Sequence, residues 1–462
     1  MQKLKTILLY FFILLLPWQT RYIFGEIFYN QQKIQGVDFS IYLSEIILAL
    51  VIILTIYDYY SEKISPCHST ISCDMVSTGQ ATHSFARNDK GKNAQNDKEK
   101  KFTPNDIDHS KPNIHRTKSL LLLFLILGCF TFNCLLAPNY QFVFFRLSWL
   151  IEAVCFLLVL KLNKPKIETI SWLFVFSGLA QSCLAIWQFL TNQIIANKWL
   201  GIAKQNTDIL GTPVILENGQ RIIRAFGSFS HPNILGGFLV ITILLTFYLW
   251  LSKKEKIALS LALICQTVGL YLTFSRGAFL ALLFGLGILL LANTQHKKSI
   301  KIIPISFILA TFFILSLSTN NLFLKRFDNV NNLNRKSNAT RVEQIKNSWE
   351  IIKDSTWRGV GLGNYQMALT KKIPNQDVYF YQPAHNVFIL IIAELGVLGL
   401  SFMILLFAKL FFTLRDFAKF DFTQQYFLIV FLTILFLGIF DHYLWTTYSG
   451  LLIFALFFAK TQ

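Results

Sequence analysis

Apolar runs close to the length of a bilayer crossing follow one another along the chain. Short basic turns and three long polar stretches separate them. The runs fall near residues 6–24, 40–58, 119–138, 142–160, 168–190, 231–251, 257–274, 278–293, 302–319, 385–407, 424–440 and 443–459. As helices, such runs can cross about 30 Å of hydrocarbon. Lipid leaves no partner for an open backbone, so the spans are expected to be helical. No alternation of period two suggests a barrel. The pattern predicts an all-α fold, a polytopic membrane helix bundle of about twelve transmembrane helices. The first run lacks a small-residue cleavage site after Pro17-Trp18-Gln19 and reads as a retained helix.

Composition agrees: 53% of the 462 residues are hydrophobic, 45 of them Phe, too apolar for an ordinary soluble domain. The formal charge of +18 raises the question of nucleic acid. Basic membrane-flanking turns account for it, and no nucleic-acid partner is expected. Lys3 and Lys5, the lysines of 90–101, Lys161 to Lys166, Lys253 to Lys256, Lys297 to Lys301, and Lys409 with Arg415 and Lys419 all fall on one side. The basic side is cytoplasmic by the positive-inside rule, which predicts a multi-pass protein of the cytoplasmic membrane with both termini inside. Loops 191–230 and 320–384 then lie outside. The organisation expected is 1–59, two transmembrane helices; 60–118, a disordered basic cytoplasmic linker poor in apolar residues; 119–319, helices three to nine; 320–384, a large extracytoplasmic loop; and 385–462, the last three helices.

Within 320–384, Thr340-Arg341-Val342-Glu343 fits a capping box with Thr340 as N-cap. Val342, Ile345, Trp349 and Ile352 follow at helical spacing. This predicts a helix over 341–354 whose apolar face lies on the membrane surface or against the bundle. The glycines of Gly359-Val360-Gly361-Leu362-Gly363 lack the preceding strand and the lysine of a nucleotide loop. Cys67, His68, Cys73 and His83 match no common zinc spacing, and Cys129, Cys134, Cys155, Cys183 and Cys265 lie in apolar runs as packing residues.

The predicted topology gathers several charged residues on the outer side. Arg276 occupies a very short turn between apolar runs, where a guanidinium costs up to about 2.5–3.5 kcal/mol at the centre of a span. It either snorkels to headgroups or forms a buried anion site, where its planar fork suits phosphate. Arg221 and Arg224 share a face if their segment is helical. Together with Arg276 they form a candidate diphosphate clamp. Arg341 and Arg358 belong to the large loop. His385, followed by Asn386, can exchange a proton near neutral pH, or serve as a structural hydrogen bonder. His231 and the Asp441-His442 turn are weaker candidates. Glu394, roughly 13 Å deeper along a helix than His385, suits an interhelical hydrogen bond.

These elements, in this order, resemble the O-antigen ligase and O-antigen polymerase superfamily of bacterial membrane glycosyltransferases. The resemblance rests on Arg224 with Gly227, Ser230, Pro232, Asn233 and Gly236; on Thr273-Phe274-Ser275-Arg276-Gly277; on Gly359 to Tyr365; and on His385-Asn386 with Glu394, Gly396 and Gly399. It covers roughly 119–462, with 60–118 as an insertion, and the large loop before His385 is ligase-like. It implies a fold similar to the GT-C glycosyltransferases, a polyprenyl-diphosphate-linked glycan donor, a lipid or glycan acceptor among membrane lipids, and transfer outside the cytoplasmic membrane. The residues implied as catalytic are His385, Arg276 and Arg224, with Arg221, Arg341 and Asn386 as further substrate-binding candidates. The transfer implied is inverting, with no cofactor, nucleotide or metal. A repeat-unit polymerase, a protein O-oligosaccharyltransferase and a non-enzymatic exporter of lipid-linked sugars stand as alternatives.

Overall fold

A computed structural model describes residues 1–64, 135–292, 298–319, 322–324 and 332–460, apart from residues 19, 30, 31, 136, 138, 210 and 218. The chain forms two compact units, Met1–Asp58 with Thr131–Gln462, and Tyr59–Phe130. Most of the second lies outside the described residues, as do the linker expected at 60–118, nearly all of the span expected at 119–138, and Cys67, His68, Cys73, His83, Cys129 and Cys134.

The described chain is mostly helical. Helix α1 (Gln2–Leu15) leads to strands β1 (Arg21–Tyr29) and β2 (Gln32–Tyr42), then to α2 (Leu43–Ile64). After α3 (Tyr140–Asn163) and α4 (Ile167–Thr191) come β3 (Val214–Glu217) and β4 (Gln220–Ile223). Helices α5 (Pro232–Ser252), α6 (Lys256–Leu272), α7 (Arg276–Leu291) and α8 (Lys298–Ser318) follow, then α9 (Asn332–Asp354) and α10 (Tyr365–Lys372). The chain ends with α11 (Val387–Leu395), α12 (Val397–Arg415), α13 (Phe422–Phe440), α14 (Tyr443–Thr446) and α15 (Tyr448–Lys460).

The all-α expectation needs correction at the two hairpins, each antiparallel. Pro17 cannot continue α1, so the first helix stops at Leu15 instead of running to residue 24. The aromatic and β-branched residues that follow pair Arg21 with Tyr42 and Tyr29 with Gln32. The segment around Arg221 is likewise a strand: β4 pairs with β3 across the sequence Asn218-Gly219, with Gly219 at φ +83°.

Six described helices are long and apolar enough to cross a membrane: Leu43–Ser61 within α2, and α3, α4, α5, α12 and α13. Helices α6, α7 and α15, and Ile302–Ser318 within α8, are apolar but shorter. Two of the expected runs are broken. The run 385–407 splits at Gly396 and 443–459 splits at Thr447. At the first break Gly396 adopts φ 58°, ψ −134°, a backbone conformation open to glycine. The carbonyls that α11 leaves open accept from the glycine-rich turn, Ala393 O from Val360 N at 3.0 Å and Glu394 O from Gly361 N at 2.9 Å.

Helix α5 is apolar on every side and buried along its length, as a helix enclosed by others must be. It packs on α4, α6, α7, α8 and α13. Close approach to α7 is possible because Gly236 lies where a Cβ would meet Ala278 and Ser275. Helix α12 is mostly exposed and turns apolar residues such as Phe402, Ile404, Leu405 and Phe411 outward. Glu394 is buried and accepts from Trp445 Nε1 at 2.8 Å, the hydrogen bond between helices expected of it. Arg146 of α3, not singled out from the sequence, donates to the carbonyls of Trp445 and Thr446 beside the second break.

Candidate functional site

A cavity of about 240 Å³ opens where the N-termini of α5 and α7, the start of α11 and one face of α9 meet; it is lined by Arg224, Arg276, Arg341, Gln344, His231, Asn233 and His385 among others. Three helices start at this cavity, and the positive end of each helix dipole favours negative charge there. Each has a local cause. His231 caps α5, accepting from Asn233 N, with Pro232 in the first turn. Ser275 caps α7, accepting from Ala278 N. Asn386 caps α11, accepting from Ile389 N.

Arg276 is the first residue of α7. Its position depends on Phe274, buried at φ 48°, a conformation that bulky side chains rarely adopt. Phe189, Tyr271 and Phe323 pack around that ring and hold it there. Arg276 Nη2 donates to Asn338 Oδ1 at 2.6 Å, and Arg341 is near enough for the two guanidinium charges to repel. Arg224 is buried, donating through Nε to Thr273 O and through Nη2 to Asn233 Oδ1, both at 2.7 Å. Asn233 Nδ2 in turn donates to Asp441 Oδ2 at 2.9 Å. This hydrogen-bonded chain ties the segment before α5 to the turn after α13.

His385 Nδ1 is 2.8 Å from Gln344 Oε1, and its ring meets that of His442 edge-on at 5.2 Å. Burial pushes the His385 imidazole below its ordinary value; Asp441 pulls it up and Arg341 adds to the lowering. Burial likewise pushes His442 down to about 4 and His231, beside Arg224, down to about 3. Burial thus favours the neutral form of all three rings. Burial works against the Asp441 carboxylate, but the surrounding histidines and the Asn233 amide hold it below the usual range.

His385, Asp441 and His442 offer ligand atoms within 4.8 Å of one another, a spacing that can hold a metal ion. The arginines of the adjoining cavity oppose a cation there and favour an anion.

The structure therefore brings Arg224, Arg276, Arg341 and His385 to one cavity. It leaves Arg221 and Asn386 off the lining. Arg221 is on strand β4 and exposed, so the helical i, i+3 pairing with Arg224 does not form. Asn386 spends both ends of its amide on structure, its Oδ1 on the cap and its Nδ2 on Ile439 O. The capping box at Thr340 is also corrected, since α9 begins eight residues earlier and Thr340 lies inside it. Of the two placements expected for its apolar face, packing against the bundle holds only at Ile352; Val342, Ile345 and Trp349 are exposed, as a face lying on the membrane surface requires. The face turned to the cavity carries Ser337, Thr340, Arg341 and Gln344 at i, i+3, i+4 and i+7. That polar stripe was the available signal for Gln344. Asp441 was visible only as a charge between apolar runs.

The mostly helical fold with its long apolar helices is that of a multi-pass membrane protein, with an arginine-lined polar cavity where several helices start. Residues 261–404 match the family model described as O-antigen ligase, which supports membership of the O-antigen ligase superfamily. The match supports, in general terms, an enzyme of the ligase or polymerase type that works in polysaccharide biosynthesis with a lipid-linked glycan donor and an acceptor. The matched stretch holds Arg276, Arg341, Gln344 and His385, whereas Arg224, Asn233 and Asp441 lie outside it. Among curated proteins no match was found.

Proposed function

We propose that the protein transfers a glycan from a polyprenyl-diphosphate carrier to an acceptor hydroxyl on the outer side of the cytoplasmic membrane, as a ligase-like member of this superfamily. The observation that carries the reading is one cavity with three arginines and three helix N-termini on its walls and a neutral histidine at its edge. Arg224 and Arg276 bind the diphosphate and stabilise the charge that grows on it as the glycosyl C–O bond breaks. Arg341 adds a third positive group. His385 takes the proton of the attacking hydroxyl, and attack opposite the departing diphosphate inverts the anomeric centre. Both termini and the 60–118 linker are cytoplasmic in this reading.

The direct test supplies purified protein in liposomes with a labelled polyprenyl-diphosphate oligosaccharide, with and without acceptors. One discrete product that requires an acceptor supports a ligase. A ladder of lengths without added acceptor assigns a polymerase. No product from any donor removes the enzymatic reading and favours an exporter.

Two results are expected of the active protein. Burial lowers His385, so the imidazole stays a competent base until pH falls below the ordinary histidine value of about 6.5. The acid limb of the turnover profile therefore lies below that value, and a limb above pH 7 contradicts the assignment. Transfer also survives EDTA within about twofold, because the arginines supply the charge compensation that a metal would otherwise give. Loss of activity on chelation, restored by one divalent cation, would assign His385, Asp441 and His442 as metal ligands.

A further inference from the structure

Gln344 is the one residue whose side chain reaches His385 Nδ1 among the described residues, and the site as proposed gives it no task. It is 5% exposed and belongs to the cavity wall. Its Oε1 accepts from His385 Nδ1 at 2.8 Å, while its Nε2 has no hydrogen-bond partner among the described residues. An amide nitrogen buried without an acceptor is uncommon in a folded protein and calls for a reason.

The two ends of this amide have different consequences. With Oε1 towards the ring, Nδ1 carries the imidazole proton and Nε2 keeps its lone pair, so the ring accepts a proton at Nε2. With the amide turned over, its N–H donates to Nδ1, the proton moves to Nε2, and the ring cannot act as a base at that atom. The unpartnered N–H₂ is the cost of the first orientation. An oxygen of a bound ligand removes that cost.

We propose that Gln344 is a positioning residue which sets the tautomer of His385, and that its spare N–H binds an oxygen of the diphosphate-linked glycan, so that donor binding selects the base-competent ring. The inference rests on the transferase reading. It adds that the base is gated by its substrate through a neutral amide. In the transfer step the acceptor hydroxyl forms the new glycosyl C–O bond, its proton passes to His385 Nε2, and the diphosphate leaves with the electron pair of the old bond. Gln344 holds the proton at Nδ1 throughout.

The test uses Gln344→Glu and Gln344→Leu in the full-length protein. A carboxylate at Nδ1 favours the charged imidazolium and moves the acid limb of turnover upward by about 1 pH unit or more. Activity should persist above that limb. Leucine keeps the volume and removes the orientation, and turnover should fall by about 10²-fold. A packing role alone would lower the yield of folded protein and leave the pH profile in place. Profiles of Gln344→Glu and wild type that coincide, with Gln344→Leu turnover within twofold of wild type, overturn the proposal. Nitrogen-15 NMR of histidine-labelled protein reads the tautomer without any turnover, with His385→Gln identifying the resonance. The donor oligosaccharide diphosphate should increase the Nδ1–H form of His385 in wild type and not in Gln344→Leu. No change in wild type on adding donor overturns the gating. This arm also separates the two failures, because a protein inactive with every donor loses the transferase reading while the tautomer is still measured.

Discussion

His385→Ala abolishes glycan transfer, with turnover falling by about 10²–10⁴-fold, while the protein still inserts and folds. The side chain precedes the capped start of α11, and its own hydrogen bond is to Gln344, not to the backbone that shapes the turn. The cap is held by Asn386 and the turn by Asn386 N donating to Ala384 O at 2.7 Å, neither of which needs the imidazole. Loss of the ring therefore removes the base and leaves the scaffold. The measurement is single-turnover transfer from a labelled lipid-linked donor, beside donor binding in the same preparation. Binding should persist, since the arginines remain. Transfer within threefold of wild type in a well-folded variant would take the base role away from His385 and leave His442 as the next ring to test.

Arg276→Ala lowers kcat/KM for the donor by about 10²–10³-fold, and Arg276→Lys recovers only part of the loss. The guanidinium is the first side chain of α7 and adds its charge to the positive end of that helix. Lysine restores a point charge without the planar fork that can meet two phosphate oxygens. Arg341 already repels Arg276, so removing the charge relieves the empty site and penalises the occupied one. The variant should thus be no less stable to heating than wild type while binding diphosphate less well. A variant that unfolds but retains donor affinity per folded molecule would make Arg276 a packing residue. Arg224 is less suited to this test, because its hydrogen bonds to Thr273 and Asn233 make it part of the fold as well.

Much of this site was legible before any coordinates. A charge inside an apolar run is costly enough to need a reason, which singled out Arg276, and a histidine where a polar loop enters an apolar run singled out His385. What escaped the sequence was decided by local competition. Pro17 and the aromatic residues after it turned the end of an expected span into a hairpin, and Asn218-Gly219 turned an expected helical arginine pair into a strand with Arg221 outside. Helix α9 shows that the polar face of a helix can be the one turned inward. It buries Gln344, Asn347 and Ser348, lines the cavity with Ser337, Thr340, Arg341 and Gln344, and leaves Val342, Ile345 and Trp349 exposed, as a face lying on the membrane surface requires. Asn386 follows the same lesson on a smaller scale, since a side chain that caps a helix is already spent and has little left for a substrate.

The break at Gly396 ends the nine residues of α11 as a helix of their own before α12 begins. Helix α12 is exposed along most of its length and by itself long enough to span a bilayer, so its tilt answers to hydrocarbon thickness. Helix α11 does not inherit that tilt. The Val360 and Gly361 amides fasten its far end, Asn386 Nδ2 ties its near end to Ile439 O, and Val397 N donates to Trp357 O at the joint between the two helices. The histidine thus precedes a short helix anchored at both ends to protein, to α13 and to the glycine-rich turn, while the long lipid-facing helix begins only beyond the break.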